Sequence, residues 1–224
     1  MIDDHQVFVA ITLAESPGPL RGRELTRLWF WNVTIAEFFG FAVPALIGTS
    51  TRDFPAVISL PALLIAGAVE GTLLGLGQAS VLRLALPHLP RRRWIVSTSV
   101  AAALAYLIGL SPSLLADRVS HWPVVVLAGA GFSLGVILLA SIGTAQWLIL
   151  RTEVPKAQIW IIATAAAWLV GLGVFLGFAM PLWRPGQPQL LTVGIGLAGG
   201  LLMAATTSAI TAIAIRRLVD KRAR

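Results

Sequence analysis

Long apolar runs alternate with short polar turns along the whole chain. Six runs reach spanning length: Phe30–Gly48, Phe54–Leu82, Trp94–Ala116, Pro123–Leu150, Ala157–Met180 and Leu190–Ile215. At 1.5 Å per residue, about 20 apolar residues cross the hydrocarbon core of a bilayer. The pattern therefore predicts an all-α transmembrane six-helix bundle. The second and fourth runs, 29 and 28 residues long, are expected to tilt. Pro44 and Pro61 are expected to kink their helices. Outside the spans, residues 1–29 read as an N-terminal tail broken by Pro17-Gly18-Pro19, and residues 217–224 as a basic C-terminal tail. The run Val7–Ala14 is too short to span. Asp3 and Asp4 stand where a signal peptide would carry basic residues.

Composition agrees with this pattern. Hydrophobic residues make up 57% of the 224 positions and charged residues 12%, against roughly 45–50% and 25% in soluble domains. A water-soluble globule, a disordered chain and a collagen are excluded. The net charge of +7 has the sign of a nucleic-acid binder, but the charges sit in the turns between spans. Fourteen of the 17 Lys and Arg fall on one side, in the segments holding Arg21–Arg27, Arg83–Arg93, Arg151–Lys156 and Arg216–Arg224; Arg52, Arg118 and Arg184 fall on the other. By the positive-inside rule both termini are expected in the cytoplasm. Trp29, Trp31, Trp94, Trp147 and Trp160 at inner span ends, and Trp122 and Trp183 at outer ones, read as interfacial anchors. The basic rim is expected to contact anionic lipids at about 1 kcal/mol per charge, with no nucleic acid as partner.

The spans repeat one another. Gly75, Gln78, Leu82-Arg83 and Pro87 recur as Gly143, Gln146, Leu150-Arg151 and Pro155 at a constant offset of 68, which Gly67 and Gly135 share. Gly200, Thr211, Ile215 and Arg216 fit at an offset of 65 from the fourth span. Odd spans open on Phe30/Thr34, Trp94/Thr98 and Trp160/Thr164. Three two-helix units, about 29–83, 94–151 and 160–216, are expected around an axis along the membrane normal. The stretch Gly143-x-x-Gln146-Trp147-x-x-Leu150-Arg151 resembles a G-x-x-Q-W-x-x-L-R signature of uncharacterised bacterial multi-pass membrane proteins; Gly75–Arg83 departs from it with Ala79 in place of Trp. The resemblance covers mainly spans two to five and implies residence in a bacterial inner membrane, with no activity attached.

Candidate chemistry is sparse. Glu37 and Glu70 lie inside spans, about 10 Å and 18 Å deep by helical rise, with no Lys or Arg in a span to pair with either. Such residues usually face a cavity or a partner, and here suggest a proton- or cation-coupling site. At least one is expected to be carried as the neutral acid. Gln78, Gln146 and Thr211 each lie four residues before the inner end of an even span. Thr34, Thr98 and Thr164 lie four residues after the inner end of an odd one. This polar layer either lines an inner vestibule or bonds across helices as packing glue. Glycine stripes (Gly67-Gly71-Gly75, Gly131-Gly135, Gly196-Gly200) predict that even spans form the tight inside of the bundle.

Gly131-Phe-Ser133-Leu-Gly135 resembles the G-x-S-x-G of rhomboid intramembrane proteases. Yet His5, His88 and His121 all lie outside the spans, so Ser133 has no base. No catalytic set, metal site or cofactor motif is apparent, and no cysteine is present. Enzymatic activity is not expected. Six spans at this length also resemble the substrate-binding subunits of energy-coupling-factor transporters in architecture. Two functions remain open at this level: a small transporter using the intramembrane carboxylates, or a non-transporting subunit that binds a membrane protein partner or lipids.

Overall fold

The computed structural model describes residues 18–222. They form six helices, α1 Gly22–Thr51, α2 Ala56–Ala85, α3 Arg91–Val119, α4 Val124–Leu150, α5 Ile159–Ala179 and α6 Gln189–Arg222, with no strand among the described residues. Each is long and apolar enough to cross a membrane. The chain is a multi-pass membrane protein.

Local sequence sets the element ends. Pro55, Pro90 and Pro123 immediately precede α2, α3 and α4, where a missing N–H leaves no hydrogen bond unmade. The chain continues as helix through Pro44 and Pro61. α1 begins at Gly22, eight residues before the apolar run. Leu25 and Trp29 are fully buried and hold that extension in the core. α6 likewise runs past residue 216, because Leu218 and Val219 pack inward. Residues 1–17 and 223–224, with the expectations for Asp3, Asp4, His5, Val7–Ala14 and Arg224, lie outside the described residues.

Short connections make neighbouring helices antiparallel. Each helix packs on its neighbours in the chain, and α6 closes on α1, so the six form a ring. One end of the ring gathers the basic segments. There the Leu20 N–H donates to the Leu84 carbonyl (2.9 Å), and Arg222 pairs with Glu153 (3.0 Å). The opposite end carries the exposed Arg52–Asp53 pair.

The ring is not equally tight all round. Along α2 a Cβ on Gly71 would lie 2.6 Å from Ala102 Cβ and 2.7 Å from the Thr98 carbonyl oxygen, and one on Gly75 would lie 3.0 Å from Ile95 Cα. Gly143 meets Ile161 and Thr164 as Gly75 meets Ile95 and Thr98. Gly131 and Gly135, by contrast, have nothing within 4 Å. The tight inside expected of every even span is therefore corrected for the outer half of α4, which stands with its glycines open. Ser133 lies on that exposed surface and donates to its own helix at the Gly129 carbonyl (2.9 Å).

Candidate functional site

The basic end of the ring is filled by three tryptophans. Trp29, Trp94 and Trp160 are fully buried. Trp29 meets Trp160 edge-on at 5.7 Å, and Trp94 lies 6.3 Å from Trp160. Reading them as interfacial anchors is thus corrected: they point to the ring axis, not to headgroups. Phe30, expected to open the first span, is only partly buried, and the neighbouring Trp29 takes the inward place. Each indole N–H donates into the polar layer: Trp29 to Thr211 Oγ1 (3.0 Å), Trp94 to Gln78 Oε1 (3.1 Å) and Trp160 to Gln146 Oε1 (2.8 Å). Gln146 Nε2 then donates to Gln78 Oε1 (2.7 Å) and to Thr98 Oγ1 (2.9 Å).

Four of the six layer residues thus bond to the indoles or to one another, Gln78, Gln146 and Thr98 with Trp94 and Trp160, and Thr211 with Trp29 alone. Thr34 and Thr164 are equally buried, but their hydroxyls have no partner. In place of an open vestibule, the layer is a closed plug.

Beyond the plug the ring encloses a cavity of about 310 Å³ that touches all six helices. Leu74 and Ile142, each four residues before a plug glutamine, form its buried floor. Away from the plug its wall residues, such as Ala105, Gly109 and Leu138, are half-buried or exposed. The cavity is therefore closed at the basic end and more open toward the other.

Its wall is almost wholly apolar, with one acidic corner. Glu70, 6% exposed, borders the cavity and accepts a hydrogen bond from the Tyr106 hydroxyl at 2.6 Å. Glu37 stands beside Glu70 at the α1–α2 contact, 1% exposed, where the two carboxyls can share one proton in a hydrogen bond; no other polar group bonds to it. Gly40, one turn on, permits the approach: a Cβ there would lie 3.2 Å from the Glu70 carbonyl oxygen and 3.3 Å from Glu70 Cγ. The unequal depths expected of the two acids follow from the short reading of α1. Each lies about 15 residues, or roughly 22 Å, from the basic end of its helix.

Tyr106 is the residue that sequence reasoning passed over. The available signal was its type, since it is the single tyrosine of the chain and it falls mid-span. No group of three or more His, Cys, Asp or Glu capable of holding a metal occurs among the described residues.

Comparison with protein families, with curated proteins and with solved structures found no match for this chain.

Proposed function

We propose that the protein is a small membrane carrier whose working site is the Glu70–Glu37–Tyr106 corner of the central cavity. The observation that carries this reading is a buried acid pair, one member of it with no partner but the other acid, set at the wall of a cavity that every helix borders. Two carboxylates side by side in a low dielectric repel strongly, so a proton or a cation must compensate them. Binding and release of that compensating charge is the coupling step of the carrier. The plug is then the barrier on the basic side, and it has to part during transport.

The basic end faces the cytoplasm of a bacterial inner membrane in this reading, with its arginines against anionic lipid. Three two-helix units arranged about the ring axis supply the plug. What supports the repeat is the pairing of Trp94 with Gln78 and of Trp160 with Gln146, together with the matched seats of Gly75 and Gly143. Thr211 takes the glutamine's place opposite Trp29.

A carrier must expose its site to both sides in turn. The cysteine-free chain allows Leu74→Cys and Ala105→Cys to be read singly. In oriented vesicles, impermeant thiol reagents are expected to modify Ala105→Cys readily from the open side and Leu74→Cys slowly from the basic side. Labelling confined to one side in every condition overturns the carrier.

A second reading has its own observation. The outer half of α4 leaves Gly131 and Gly135 without neighbours, a small-x-x-x-small face suited to another helix. A stoichiometric partner helix recovered in mild detergent, and lost with Gly131→Leu, favours a non-transporting subunit; a monomer that retains cavity ligands counts against it.

A further inference from the structure

We infer that the cavity takes a small lipophilic organic cation, an ammonium head carried on an apolar or aromatic body; this rests on the carrier reading of the same site. Three properties of the cavity select that class.

The first is charge. The only ionisable groups at the corner are Glu70 and Tyr106, with Glu37 behind them, and no Lys, Arg or His among the described residues borders the cavity. An anion would meet a carboxylate with no Lys, Arg or His to offset it, and a neutral solute would leave the acid pair's charge uncompensated.

The second is size against coordination. About 310 Å³ is the small end of the range for ligand pockets. It is far more than a bare inorganic cation occupies. Such an ion needs several oxygen ligands, and here only one carboxyl and one phenol reach the space.

The third is the lining. Phe41, Tyr106, Trp168 and Phe175, from α1, α3 and α5, border the cavity. Aromatic faces attract desolvated cations, and quaternary ammonium groups in particular. Buried Leu74 and Met203 leave the rest of the wall apolar. The body of the ligand is thus held by burial, and its head by the acid pair whose charge it compensates.

The test uses benzyltrimethylammonium and its uncharged carbon isostere neopentylbenzene on the full chain in detergent, with tetramethylammonium as the head alone. Binding is read by thermal stabilisation and by displacement of the labelled cation. Benzyltrimethylammonium is expected to raise Tm in a saturable way, and both fragments to bind more weakly. Glu70→Gln, which can still accept from Tyr106, is expected to weaken the cation roughly tenfold or more and to leave neopentylbenzene unchanged. Equal binding of the charged and neutral probes to the wild-type chain, a comparison that depends on no variant, overturns the inference. So does cation binding that survives Glu70→Gln. If sodium competes on equal terms, the site is inorganic and the inference falls. Two-sided thiol labelling judges the carrier separately. Cation binding with one-sided labelling keeps the ligand class and removes transport, whereas two-sided labelling without cation binding does the reverse.

Discussion

The basic end of the ring and the acidic corner at its middle treat their buried polar groups differently. At the basic end, three indoles, two glutamines and two threonines bond to one another and to nothing else polar but their own helix backbone. Some 22 Å from the basic helix ends, at the acidic corner, Glu37 has no partner but Glu70, and Glu70 has only Tyr106 and Glu37. Satisfied buried polar groups hold helices in place, while unsatisfied ones cost free energy wherever a hydrogen bond is missing. The plug is thus the part that holds the ring together, and on the carrier reading the acid pair is the part it presents. Both regions are buried, so burial alone does not distinguish structure from function here. Satisfaction does not either, since Thr34 and Thr164 in the plug layer also lack partners; what sets the corner apart among the described residues is that it buries two acids.

Substitutions sharpen this contrast by what they do to stability. Trp160→Ala removes a fully buried indole that touches both other tryptophans, and is expected to lower unfolding free energy by about 3–5 kcal/mol in detergent denaturation. Gln146→Leu leaves the Trp160 N–H and the Gln78 network without their shared partner; a loss of about 1–3 kcal/mol is expected by the same measurement. Gly71→Ala drives a methyl into Ala102 and the α3 backbone, with an expected loss of about 1–3 kcal/mol. Gly131→Ala, which meets nothing, should be neutral or raise stability by up to about 1 kcal/mol. The smallest change is expected from Glu37→Gln: the amide can still donate to Glu70, so stability within about 0.5 kcal/mol of wild type is predicted. A large loss there would place Glu37 with the plug and break the contrast.

Much of this was legible in the sequence, because hydrophobic length and arginine placement act on whole helices. The six spans and their number follow from those alone. The polar layer was also readable, since Gln78 and Gln146 sit at equal distances from the arginine that ends each span. Rotation about the helix axis was not. A tryptophan near a helix end looks the same in sequence whether it faces headgroups or the ring axis, which is why Trp29, Trp94 and Trp160 were read as anchors. The depths of Glu37 and Glu70 went astray for a related reason. Arg23, Glu24 and Arg27 end the apolar run of α1, yet Leu25 among them and Trp29 just after them are buried and extend the helix. The pairing of Tyr106 with Glu70 spans 36 positions, and no local pattern reports it. The cavity depends on six helices at once and has no signature in any of them.

The central claim is that Glu70 faces accessible space while the polar groups of the plug do not. Dicyclohexylcarbodiimide, an apolar reagent for carboxyl groups in membranes, tests it directly when the labelled chain is digested and weighed. One adduct on the Glu70 peptide is predicted, lost in Glu70→Gln and slowed when benzyltrimethylammonium is present. An unmodified Glu70 under conditions that label exposed acids such as Asp53 would contradict the account, because the corner would then be sealed in dry packing like the plug.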